Sequence, residues 1–188
     1  MECYRCGATL GRESFCPSCG TDVKVYKPFD EFLKYDFFSS IELHPNLFKQ
    51  YGCKQVGSNG ELLEANKVVE GMGILAALIA AKPNNEFIKE CLDYFGNRHF
   101  VNPDGSLYTD IINPGIMATL AVKYGFRYID KTQVLDNNMI ILDSSVFAGN
   151  AATFSKQSYS MHYCDGSWRE KTLVQKLKSF IRNYFLVK

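Results

Sequence analysis

An excess of charge of either sign is absent from this chain. Its 21 lysines and arginines stand against 20 aspartates and glutamates, a formal net charge of +1 over 188 residues. No overall field draws in nucleic acid or an anionic membrane, so charge has to be read locally. Long apolar runs are also absent. The longest, GMGILAALIAA from Gly71 to Ala81, has eleven residues, short of the roughly 20 that a membrane-crossing helix needs. The N-terminal MECYRCG carries no basic stretch followed by an apolar run, so no secretory signal is expected. Internal repeats and low-complexity runs are missing as well. With 46% hydrophobic residues the chain is long enough to bury a core, and one domain with a small appendage is the natural organisation.

What is abundant at one end is cysteine. Four of the seven lie in the first 19 residues, in the knuckles CYRCG and CPSCG, with the nine residues GATLGRESF between the two CxxC units. Each CxxC bends tightly enough to present two thiolates to one tetrahedral ion, and the glycine after each pair permits the closing turn. Cys3, Cys6, Cys16 and Cys19 are therefore expected to hold one structural zinc in a ribbon. Four protein ligands leave no open position for catalysis. A redox dithiol would belong to a larger βαβ context and would not need a second copy. Leu10 and Phe15 are too few to form a core, so metal binding supplies most of the ribbon's folding free energy. Arg5, Arg12, Lys24 and Lys27 are nearly cancelled by Glu2, Glu13 and Asp22, which argues against a nucleic-acid partner and for a protein contact or an inert cap. The other cysteines, Cys53, Cys91 and Cys164, are scattered. That usage fits a reducing cytoplasm better than a disulfide scaffold.

Beyond the ribbon, KPFDEFLKYDFF reads as a short helix leading into FSSIELH. LHPNLFKQYGCKQVGSNGEL, with Pro45, Gly52, Gly57 and the Asn59-Gly60 pair, reads as loop and hairpin. GILAALIAA is continuously apolar, and periodicity does not separate buried strand from buried helix. From Asn84, the spacing of Phe87, Ile88, Cys91, Leu92 and Phe95 before Gly96 predicts an amphipathic helix. Pro103, Asp104 and Gly105 form a tight turn, in which Asp104 is a turn residue rather than a catalytic acid. Asn113 is expected as an N-cap with Pro114 at the first helical position, and Ile116, Met117, Leu120 and Tyr124 should line one face until Gly125. NMIILDSSVF reads as strand and turn. From Trp168 to Val187, Leu173, Val174, Leu177, Phe180, Ile181, Tyr184 and Phe185 form one stripe of a basic amphipathic helix. Such a helix packs on its own domain or lies on a membrane surface.

KPFDEFLKYDFF, GILAALIAAKPNNEFIKECLDYF, the Asn113-Pro114-Gly115 helix start and above all YSMHYCDGSW resemble the DXD-containing sugar transferases of bacterial capsular and other surface-polysaccharide gene clusters. The resemblance runs from about Thr21 to the C-terminus. It implies an α/β (or α+β) chain: a zinc ribbon over residues 1–22, then an incomplete GT-A-like glycosyltransferase portion over residues 23–188 that ends in the amphipathic helix. In that family a divalent cation, Mn2+ or Mg2+, is held by the DXD carboxylates against the donor diphosphate. The resemblance makes His162 an additional metal ligand and gives Ser167 and Trp168 the donor phosphates. Without the resemblance, His162 reads as a buried, hydrogen-bonded strand histidine and Trp168 as an apolar anchor. Asp22 stands where the last DXD carboxylate would be, but Gly20, a residue of the second zinc knuckle, replaces the first. Asp22 is thus either a solvated residue of the ribbon or the remaining carboxylate of the motif. The ribbon also occupies the place of the nucleotide-binding half.

Two functions follow as expectations. One is a sugar-nucleotide-dependent transferase, or an inactive remnant of one, acting on a glycan or lipid-linked acceptor. The other is an adaptor whose ribbon, or the face left by the missing half, recruits a protein partner. Either is expected in the cytoplasm, with peripheral contact to the inner membrane face through the C-terminal helix. Metal analysis of protein prepared without chelators should give about one zinc per chain, lost in Cys16→Ser. A chelator should unfold residues 1 to 20 and leave most of the helical signal intact; loss of the entire signal would mean that the ribbon is integral to the larger core.

Overall fold

A central strand covered on both faces organises the chain. The structure, a computed structural model, describes residues 18, 31–96, 98–99, 101–106, 112–155, 158–162, 172 and 174. Strand β1, Phe37–Leu43, is buried along nearly its whole length. Its apolar and small side chains, FFSSIEL, suit a position between two layers. On one side β1 pairs antiparallel with β2, Met72–Ile74, in the register Ile41 with Ile74 and Leu43 with Met72; its start pairs antiparallel with β3, Ala80–Ala81. On the other side it runs parallel to β5, Met139–Leu142, from Phe37 beside Met139 to Ser40 beside Leu142. β5 pairs antiparallel with β4, Gln133–Leu135, across a hairpin in which Asn137 and Asn138 take the left-handed region at φ 56° and 51°. Asparagine tolerates that region, as the hairpin twist requires.

Alternation along β1 and β5 separates two cores. Phe37, Ile41, Met139 and Ile141 face α2, Glu86–Gly96, and α3, Asn113–Ala121. There Phe87 meets Phe37 edge-on with ring centroids 5.0 Å apart, and Met117, Ala118 and Ala121 complete the contact. Phe38, Ile140 and Leu142 face the other way, onto Phe32, Leu75 and Phe147. Phe147 belongs to β6, Phe147–Ala148, which pairs parallel with β7, Ser160–Met161. The two serines of β1 are fully buried. Ser39 Oγ lies 2.9 Å from the carbonyl oxygens of both Leu75 and Leu78, while Ser40 Oγ donates to the Asp143 carbonyl at 2.6 Å.

A mixed α/β chain is what the sequence leads one to expect. Several local expectations need correction. From Glu31 the chain turns, and Phe37 opens a strand rather than continuing a helix; residues 28–30 lie outside the described residues. Within LHPNLFKQYGCKQVGSNGEL, a short helix α1, Pro45–Gln50, and a 3-10 turn, Gly52–Lys54, precede the hairpin, which closes through a single Val56–Leu62 bridge around Asn59-Gly60. Pro45 at the first turn allows that helix because its missing N–H has no helical acceptor there. GILAALIAA is strand, turn and strand. Helix α2 forms as expected, but Leu92 and Phe95 are exposed, so only part of the expected stripe is core. Helix α3 begins one residue early, because the Ile112 carbonyl accepts from the N–H groups of Gly115 and Ile116; Asn113 is inside the helix and Ile112 is the cap. A 3-10 turn, Val122–Tyr124, extends α3 to Gly125, which ends it at φ 96°. The Asp104 turn is present, with Asp104 Oδ1 accepting from the Ser106 N–H at 2.9 Å.

Helix α3 lies directly on β2. A Cβ on Gly73 would stand 2.6 Å from the Pro114 carbonyl carbon and oxygen, which are backbone atoms with little room to move. Gly73→Ala should therefore destabilise the fold by about 1–3 kcal/mol through overpacking. Phe147→Ala, which empties the second core, should cost about 3–5 kcal/mol. Urea unfolding checks both, and an unchanged midpoint in Gly73→Ala would show that α3 is free to lift from the sheet.

Candidate functional site

In open α/β sheets, ligand-binding groups gather beyond the carboxyl ends of parallel strands. Here that edge is where β1 and β5 both terminate. At the end of β5, Asp143 and Asp130 are committed to the loop. Asp143 Oδ1 accepts from the Ser145 hydroxyl at 2.6 Å and its Oδ2 from the Thr132 hydroxyl at 3.1 Å. Asp130 accepts from the N–H and hydroxyl of Ser144 at 2.8 and 2.7 Å. These carboxylates shape the turn from β5 to β6.

The end of β1 is different. Glu42 is a carboxylate at 8% exposure on the strand face that also carries Phe38. Its Oε1 is 3.2 Å from Nε2 of His44, two residues on and half-exposed. Three backbone features hold this corner. The His44 N–H donates to the Gly71 carbonyl at 2.8 Å. Asn150 Nδ2 donates to the Leu43 carbonyl at 2.7 Å. Gly149, just past β6, leaves room for the Glu42 stem, since a Cβ there would stand 3.0 Å from Glu42 Cγ. The Glu42 carboxylate raises the His44 imidazole above its ordinary value, chiefly through the hydrogen bond, against the opposing effect of burial.

His162 arrives at the same side of the molecule. Its N–H donates to the Ala148 carbonyl at 2.7 Å, one residue before Gly149, and it is exposed beyond the end of β7. It is thus not the buried strand histidine of the alternative reading. The other expected site residues, Cys3, Cys6, Cys16, Cys19, Asp22, Ser167 and Trp168, lie outside the described residues. So does the C-terminal helix, apart from Thr172 and Val174. Among the described residues, no helix is long and apolar enough to cross a membrane.

Among the described residues, no three His, Cys, Asp or Glu side chains gather as a metal-binding group. Glu42 and His44 offer fewer donors than the six or more oxygens a hard cation takes. The described residues therefore do not by themselves fit a divalent cation, and no chemistry below is routed through one. The opposite edge of the sheet carries an open cleft of about 440 Å³ lined by Asp36, Lys82, Asn85 and Asn138. Its groups are spent on each other. Asp36 Oδ1 accepts from Lys82 Nζ at 2.7 Å and from Asn138 Nδ2 at 2.9 Å, hydrogen bonds that hold its carboxyl below the usual range. The chain matches no family model, no curated protein and no solved structure.

Sequence reasoning passed over Glu42 and His44. The available signal was an ionisable pair at i and i+2 in SSIELHP, which in extended chain places both on one face. Because the folded His44 is raised above the unfolded imidazole value of about 6.5, its partnership stabilises the fold fully below that pH. The contribution fades as pH rises through the folded value. The urea midpoint of the wild type should exceed that of His44→Gln most at mildly acid pH, and the gap should narrow as pH rises through the folded value. A constant gap would mean that His44 acts only by packing.

Proposed function

We propose that this chain is a glycosyltransferase-like protein of surface-polysaccharide synthesis whose described body holds the acceptor sugar, and that alone it transfers sugar from a nucleoside-diphosphate donor slowly or not at all. The observation that carries the reading is the polar corner at the carboxyl end of β1, where the Glu42–His44 pair opens beside the strand pair that leads to His162. The resemblance of YSMHYCDGSW and its companion segments to DXD-containing transferases supplies the substrate class. In that reading Ser167 and Trp168 touch the donor phosphates, and Asp22 and His162 are the residues available for Mn2+ or Mg2+. The same reading assigns structural Zn2+ to Cys3, Cys6, Cys16 and Cys19.

Slow transfer follows from chemistry at the leaving group. Breaking the bond between the sugar and the diphosphate releases concentrated negative charge, which paired carboxylates stabilise by fixing a cation. Gly20 offers no carboxylate where the family has one. Positioning of the donor supplies much of a transferase's rate, and one carboxylate orients it poorly.

A panel of uridine- and guanosine-diphosphate sugars with manganese tests the proposal by calorimetry and nucleotide release. The expected result is saturable binding of at least one donor, weakened in His162→Ala with zinc content unchanged, and release no faster than in buffer. Rapid turnover abolished by His162→Ala would overturn the claim of slow transfer. Absence of binding by every donor would overturn the transferase reading and leave the adaptor, a zinc ribbon on a structural body.

A further inference from the structure

Asn59-Gly60 is the one Asn-Gly pair in the chain. It forms the tip of the hairpin closed by the Val56–Leu62 bridge, where the Gly60 N–H donates to the Gly57 carbonyl at 3.0 Å and the Gly57 N–H to the Glu61 carbonyl at 2.9 Å. Asn59 is exposed, whereas Gly60 is buried and takes φ 73°, which glycine adopts without strain. The tip is docked. The Tyr128 N–H donates to the Gly60 carbonyl at 2.8 Å, and a Cβ on Gly60 would stand 2.8 Å from Ile129 Cγ2. The Asn59 N–H donates to Glu61 Oε2 at 3.0 Å, while among the described residues no hydrogen bond holds the Asn59 side-chain amide.

A backbone nitrogen can add to the side-chain carbonyl carbon of the asparagine before it, closing a cyclic imide. Glycine leaves that nitrogen open, because any other residue would crowd it with a Cβ. At Asn59 the bond formed is Gly60 N to Asn59 Cγ. The bond broken is Cγ to Nδ2, which leaves as ammonia with the proton from Gly60. Water then opens the ring at either carbonyl, giving aspartate or isoaspartate, and no oxidant or cofactor is required. The fold opposes the first step. Addition consumes the Gly60 N–H, so its bond to Gly57 must break, and the nitrogen must swing toward Asn59 Cγ against the clamp of Tyr128 and Ile129. One bridge and a few turn bonds make such a hairpin cheap to open locally.

We propose that Asn59 is a deamidation site, guarded by the docking of its hairpin on Tyr128 and Ile129 and converted when that hairpin opens. This goes beyond the transferase reading and is independent of it. Conversion favours the open hairpin. Isoaspartate adds a main-chain carbon to a turn whose bonds fix its length, and either product places a carboxylate beside Glu61, where like charges repel.

The test stores the full chain warm at mildly alkaline pH, folded and, in parallel, unfolded in guanidinium. The tryptic peptide from Gln55 to Lys67 is followed by mass spectrometry, and an isoaspartate methyltransferase assay marks the isomer. Asn59 should take on the aspartate mass before any other asparagine, fastest in the unfolded sample. Ile129→Ala should speed the folded reaction about threefold or more, since local opening becomes cheaper. Asn59→Gln should remove the product at that position. Circular dichroism checks that Ile129→Ala remains folded. The same gate is read in the wild type by adding guanidinium below the unfolding transition, where deamidation should rise in step with hydrogen exchange at the Gly60 and Tyr128 amides. No product at Asn59 in the folded chain over months, another asparagine reacting first, or equal rates in the folded and unfolded chains overturns the proposal. Deamidation that stays constant while those two amides exchange faster does so as well.

Discussion

The parallel pairing of β1 with β5 is the constraint on which the other contacts depend. It joins Phe37–Ser40 to Met139–Leu142, segments about a hundred residues apart in the chain, and fixes which side chains face which layer. A slip of one residue would turn Phe37 and Ile41 out of the helical core and send Phe38, Ser40 and the Glu42 carboxylate into it. The buried serines resist that exchange. In the observed register Ser39 and Ser40 find carbonyl acceptors on Leu75, Leu78 and Asp143, and a buried hydroxyl without a partner is costly.

From that pairing the two layers follow. One face carries α2 and α3, held at their junction by the Tyr124 hydroxyl, which donates to Glu90 at 2.8 Å and is pushed up to about 12 by its burial and by that carboxylate. The other carries the aromatic group of Phe32, Phe38, Phe147 and Tyr159, with Phe147 at 5.8 Å from Phe32 and 5.4 Å from Tyr159. That packing brings β6 across β1 and leaves Gly149 beside Glu42. The Glu42–His44 corner is thus a by-product of the second core: the strand that fills that core with Phe147 runs on, within two residues, to Gly149 beside Glu42.

Charge is distributed in keeping with this division. Asp36, Asp130 and Asp143 close turns and strand ends with their own hydrogen bonds, and such groups have little left for a ligand. Among the described residues, the Glu42 and His44 side chains partner each other. The distinction lies in partners rather than in residue type.

The sequence by itself determined the mixed α/β character, the α2 helix, the Asp104 turn, the Gly125 helix stop and the strand over NMIIL. Each rests on local chemistry: a 3.6-residue period, a glycine able to take positive φ, a branched apolar run. It also marked His162 as a residue to watch. Only the tertiary structure decided that GILAALIAA is two strands around a turn, that Leu92 and Phe95 remain exposed, and that α3 opens at Ile112. A continuous apolar run has no periodicity to read, and which face of a helix is covered depends on what packs against it. Glu42 and His44 belong to the second group for the same reason. Their spacing was visible, but their surroundings depend on Gly149, Asn150 and the neighbouring β7, brought to them by pairings that span most of the chain.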